Sequence, residues 1–158
     1  MRTVIAVPVW VLICFAVGLL ASYFQNDALT MWYPLLRRSS ITPPNIVFPI
    51  VWSILYLLMG ISAAAVWKQK RGRNVFENGL FVYAISLFVN FWWSILFFEL
   101  RYFLFSFIWL LLLWVLILMT VLAYNAVDRR SALLQLPYLA WVTFAGYLNF
   151  GIALLNPR

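Results

Sequence analysis

The chain has 158 residues, 66% of them hydrophobic and 9% charged, with a net charge of +7 and a mean hydropathy of +0.98. No soluble domain of this size covers that much apolar surface, so lipid must be the solvent over much of the chain. The apolar runs are long and continuous, which argues against a β-barrel, and a chain with no histidine, one cysteine and four carboxylates is a poor candidate for a transition-metal site.

In chain order, the first apolar run covers about 4–23, long enough to cross the hydrocarbon core. Arg2 precedes it, but no small-residue cleavage site follows, so it is read as a mature helix rather than a signal peptide. Gly18 and Ser22 form a small-xxx-small pair, a helix-contact signal. The segment 24–45 is read as a long first loop. Trp32 and Tyr33 sit where aromatics anchor at the membrane–water interface. Arg37 and Arg38 add positive charge, and Pro43-Pro44 forces extended backbone. Such a loop is an ordinary connection or a lid over a pocket.

The second span covers about 48–67. Pro49 falls in its first turn, where a missing N–H is harmless. Phe48, Trp52, Tyr56 and Met59 recur at helical spacing on one face, and Gly60 with Ala64 permits close helix approach. The basic run 68–73 follows, then spans at about 78–98, 103–124 and 133–155. The expected fold class is an all-α integral membrane protein, a five-transmembrane-helix bundle forming one domain over 1–158. Seven basic residues fall on the side of the N-terminus and four on the other. That bias places the N-terminus in the cytoplasm and the first loop and C-terminus opposite. The charge therefore serves topology, and no nucleic-acid partner is expected.

All fifteen charged residues lie in loops or at span ends, so no acid or base sits at the bilayer midplane. Proton pumps and ion-coupled carriers need one there. General acid–base catalysis has no obvious players either. The spans carry aromatic mass instead: nine tryptophans, with Trp52, Trp93, Trp114 and Trp141 deep inside them. In the third span Asn90, Trp93, Ser94 and Phe97 share a face. In the fifth, Pro137, Trp141, Ala145 and Asn149 form a stripe in which Ala145 leaves room between large neighbours. Asn90 and Asn149 must find partners at membrane depth, in another helix or in a ligand.

Three motifs in order carry a resemblance: F-x-x-x-W-x-x-L-Y-x-x-M-G over 48–60, N-x-x-W-S-x-x-F-F over 90–98 and P-Y-L-x-W-x-x-F-A-x-x-L-N over 137–149. With Trp32-Tyr33 and Pro43-Pro44, the chain resembles the tryptophan-rich sensory protein/translocator protein family along nearly its whole length. The resemblance implies a five-helix bundle, commonly dimeric, that binds porphyrins; some members bind cholesterol or benzodiazepine-type ligands. It implies a pocket under the first loop lined by Tyr33, Pro43, Trp52, Asn90, Trp93, Ser94, Trp141, Ala145 and Leu148. Phe48, Tyr56, Phe97, Tyr138 and Asn149, from the same motifs and stripes, complete the expected ligand site. In some bacterial members, tryptophans matching Trp52 and Trp141 support light-dependent porphyrin breakdown, which makes these two the candidate catalytic residues. No cofactor is required on this reading, since the porphyrin is ligand or substrate.

The chain departs from the family's K-P-x-W before the two prolines, where it has Arg38-Ser39-Ser40-Ile41. Trp109 replaces an acidic residue, and Phe150 stands where the animal cholesterol segment needs tyrosine. Three functions stay open: a porphyrin-binding or sensory protein with a role in tetrapyrrole transport, a photo-oxidative porphyrin-degrading enzyme, and a lipid or sterol carrier.

Overall fold

A computed structural model describes residues 2–69 and 73–157. Among the described residues it contains five long helices: α1 (Arg2–Met31), α2 (Val47–Gln69), α3 (Arg73–Ser94), α4 (Phe103–Val127) and α5 (Arg129–Leu155). All five are long and apolar enough to cross a membrane, and no strand occurs among the described residues. The fold is all-α and the protein is an integral membrane protein. Of the basic run 68–73, residues 70–72 lie outside the described residues.

The first helix corrects the expected boundary. It continues to Met31 instead of ending at Tyr23, so the connection to α2 begins at Trp32 and the 24–45 loop is much shorter. Gln25, Asn26 and Asp27 are polar, but nothing there breaks a helix; the first breaker is Pro34, inside a short 3₁₀ turn at Tyr33–Leu35. A helix of 30 residues is about 45 Å long, against a hydrocarbon core of ~30 Å, so its last turns stand at the interface. Ala28 is buried there against Tyr33, Phe97 and Phe98.

The helices close into a ring in the order α1, α2, α5, α4, α3, with α3 returning to α1. Small residues set the tightest crossing. A Cβ on Gly60 would lie 2.5 Å from Cα of Val11, and one on Gly18 would collide with the ring of Tyr56. Backbone cannot move aside as a side chain can, so Gly60→Ala must push α1 from α2. We expect it to lower stability by about 1–3 kcal/mol in detergent thermal unfolding. Gly151, with nothing within 4 Å of its would-be Cβ, is the matched control; Gly151→Ala should be neutral or slightly stabilising.

The core between these helices includes Cys14, Met59, Tyr83, Leu113, Ile117, Tyr124 and Tyr138. Cys14 Sγ lies 2.9 Å from the Tyr83 hydroxyl. Asp128 caps α5, its carboxylate accepting from Ser131 N and Oγ at 2.9 and 2.6 Å. Those bonds hold its carboxyl below the usual carboxylate range, the Ser131 hydroxyl contributing most.

α3 does not end as a regular helix. Ile95–Glu99 widens into a π turn, closed by Leu100 N donating to Ile95 O at 3.0 Å. Arg101 follows with φ 55, a backbone region unfavourable for a side-chain-bearing residue. The widened turn presents Phe97 and Phe98 inward together, both buried.

Candidate functional site

Two connected spaces lie beneath the first connection. The larger is a cleft of about 330 Å³ between α1, α2 and α3. Its α1 wall is Phe15, Gly18, Leu19, Ser22, Gln25, Asn26 and Leu29; α2 and its approach supply Asn45, Phe48, Pro49, Trp52, Ser53 and Tyr56; α3 supplies Asn90 and Ser94. Leu19, Ser22, Asn45, Pro49 and Ser53 on its rim are exposed, so the cleft opens sideways between α1 and α2 toward lipid. The smaller space, about 40 Å³, lies further in among Tyr33, Trp93, Phe97, Phe98, Ala145, Leu148, Asn149 and Ile152. Gln25, Leu29, Phe48 and Trp52 line both. Volumes of ~300–1,000 Å³ with apolar walls and a few polar groups are typical of small-molecule sites.

Trp52 stands at the junction. Its ring stacks on Tyr56 at 5.4 Å and 25° and meets Tyr138 edge-on at 6.1 Å. Trp93 stacks on Phe97 at 5.5 Å. The polar groups are fixed by neighbours. Gln25 Nε2 donates to Ser94 Oγ at 2.8 Å, tying α1 to α3 across the point where the two spaces meet. Tyr56 and Asn90 both line the larger cleft. Asn149 Oδ1 accepts from Trp93 Nε1 at 3.1 Å and Ser106 Oγ at 3.2 Å, while its Nδ2 donates to Phe103 O at 2.8 Å. Asn149 thus bonds between helices and lines the inner space as well, while Asn90 lines the cleft.

The roof is the first connection. Tyr33 is buried under Arg38, whose guanidinium lies 5.0 Å from the ring centroid. Burial pushes the Tyr33 phenol up, with the neighbouring guanidinium opposing it. Arg101 lies over Trp32 at 4.6 Å. Asn156 grips the Arg37 backbone at both ends, accepting from its N at 3.1 Å and donating to its O at 2.9 Å. The connection is thereby tied to the end of α5.

Of the expected site residues, Tyr33, Phe48, Trp52, Tyr56, Asn90, Trp93, Ser94, Phe97, Ala145, Leu148 and Asn149 line one or both spaces. Three do not. Pro43 lines a separate outward depression with Arg38, Thr42 and Pro44. Tyr138 is buried behind Trp52, and Trp141 packs on Phe48 at 5.9 Å, so both brace the wall from outside. In the inner space Gln25, Leu29, Phe98 and Ile152 were not anticipated, and in the cleft neither were the remaining α1 residues nor Asn45, Pro49 and Ser53. A signal for Gln25 and Leu29 existed: Gly18, Ser22, Gln25 and Leu29 run at i, i+4, i+7 and i+11, one continuous helix face.

A family model described as the TspO/MBR family matches residues 10–155. The chain is 39% identical over 145 residues to the tryptophan-rich protein TspO of Chlorobaculum tepidum, covering 92% of each chain. It is 38% identical over 149 residues to protein CrtK of Rhodobacter capsulatus, covering 94% of this chain and 91% of that one. It is 33% identical over 136 residues to the translocator protein of Bos taurus, covering 84% and 79%. With a family model spanning nearly all of its five helices and relatives matched almost end to end, the chain belongs to the TspO/MBR family.

Proposed function

We propose that this protein is a membrane receptor for porphyrins of the protoporphyrin type and similar flat apolar ligands, which it senses or moves. The observation that carries the reading is the cleft of about 330 Å³ that opens toward lipid and ends on the Trp52 indole. A flat aromatic ligand gains by stacking there, ~0.5–1.5 kcal/mol per aromatic contact beyond area burial. The test is a dark titration of the nanodisc-embedded protein with protoporphyrin, following tryptophan fluorescence and porphyrin absorbance. Saturable quenching is expected; partitioning indistinguishable from empty nanodiscs would contradict the reading.

The inner space supplies a second check. Ala145 is a small wall residue there, and Ala145→Leu fills volume the ligand needs. Overpacking of about 1–3 kcal/mol translates into roughly five- to 150-fold weaker protoporphyrin binding with the fold retained. Unchanged affinity in a folded variant would remove Ala145 from the site.

A second reading, light- and oxygen-dependent porphyrin breakdown, is favoured by one feature: the oxidisable Trp52 indole lines both spaces. Trp141, the other candidate, is separated from them by Phe48.

The orientation belongs to the same proposal. The N-terminus and 68–73 face the cytoplasm, and the roof of the site faces the opposite side, because basic residues favour the cytoplasmic loops. Reporter fusions within 125–131 and at the C-terminus should give opposite locations; the same location for both would refute it.

A further inference from the structure

We infer that Arg38 recognises a carboxylate on the ligand's edge and so sets the ligand's specificity at the mouth of the cleft. This rests on the receptor reading above. The first support is continuity. Asn45 lines the lipid-facing cleft and also the outward depression that contains Arg38, Ser39, Thr42 and Pro43. The cleft wall is mainly apolar, whereas the depression above it is bounded by a guanidinium, hydroxyls and an amide. A ligand lying in the cleft with its polar edge at the water interface would place that edge beside Arg38.

The second support is how Arg38 is held. It is half-buried, and its guanidinium lies over the Tyr33 ring. That partner is not a carboxylate, and among the described residues no carboxylate pairs with the guanidinium, so its positive charge stays uncompensated at the mouth. The backbone is fastened on both sides. Arg37 is clamped by Asn156, Ser39 Oγ lies 3.4 Å from the Tyr147 hydroxyl, and Thr42 N donates to Ser39 O at 3.0 Å. A fixed planar guanidinium presents paired N–H donors that match a carboxylate's two oxygens. Arg37 beside it is held through its backbone, and its side chain has no such seat over a ring. The nearby acids Asp27 and Glu99 line a different depression with Tyr23 and Phe24.

The probes are protoporphyrin, which carries two carboxylates, and its dimethyl ester, which has the same macrocycle without the charge. Both are titrated in the dark into nanodisc-embedded wild type, Arg38→Gln and Arg37→Gln. Wild type should bind the diacid about tenfold more tightly than the ester, the scale of one charge-assisted hydrogen-bonded contact. Arg38→Gln should bind both with the ester's affinity, and Arg37→Gln should keep the preference. Equal affinities in wild type, or a preference that survives Arg38→Gln, would overturn the assignment and leave the cleft intact. If Arg38→Gln does not stay folded, Arg38→Met, which keeps the stem beside Tyr33 without the charge, takes its place in the same titration, with the same outcomes deciding. Saturable binding of neither probe would instead overturn the receptor reading on which the inference rests.

Discussion

Asn149→Leu should destabilise the bundle by about 2–4 kcal/mol, one of the two largest effects expected. Leucine matches asparagine roughly in size but cannot replace its three hydrogen bonds. Ser106 Oγ would keep its bond to Phe103 O at 2.9 Å. Trp93 Nε1, a part-buried donor, would lose its Asn149 acceptor. The change also severs a junction of α3, α4 and α5 beneath the inner space. Thermal unfolding in detergent reads the loss, and protoporphyrin affinity should fall with it as Trp93 loses its orientation. Asn90→Leu, at a residue that lines the cleft and has no such set of interhelical bonds among the described residues, should be milder. A loss below about 0.5 kcal/mol for Asn149→Leu would show that the neighbours rearrange freely.

Trp52→Ala should weaken protoporphyrin binding roughly a hundredfold, the ~2–3 kcal/mol typical of a truncated central aromatic. Trp52 lines both spaces, with its ring held by stacking on Tyr56 and by the buried Tyr138 behind it, so its truncation removes aromatic surface from both. Trp52→Phe keeps a stacking face and should stay within about tenfold of wild type. The same pair separates binding from chemistry. If light-dependent breakdown runs through an indole against the macrocycle, Trp52→Phe should lose most of it. Trp141→Phe should lose less, because Trp141 meets Phe48 and not the cavity. Degradation at the wild-type rate by the double variant, Trp52→Phe with Trp141→Phe, would rule out indole chemistry.

Spans two to five were legible because each apolar run is bracketed by charge or turn residues. The end of α1 was not. Gln25-Asn26-Asp27 has the composition of a loop, yet polarity alone does not stop a helix, and the chain stays helical up to the turn containing Pro34. Reading those residues as loop conceals the α1 wall, and with it Gln25 and Leu29. The motifs find the right neighbourhood of α5, but a motif does not tell a lining residue from its support. Ala145, Leu148 and Asn149 face the inner space, whereas Tyr138 and Trp141 stand behind Trp52 and Phe48. The inward turn of Phe98 depends on a π turn, a backbone width that no residue type at 95–99 announces. Pro43 is expected inside only because the family resemblance implies it; the extended segment that the paired prolines impose carries it to the outer depression instead.

The most direct test is an experimental structure of the protein with protoporphyrin, prepared in the dark. The receptor reading predicts one macrocycle in the cleft, touching Leu29, Phe48 and Trp52, with its carboxylates toward Asn45 and Arg38. A macrocycle seated instead in the lipid-facing groove of Ile5, Val9, Trp10 and Trp67, or none in the cleft at saturating ligand, would contradict it.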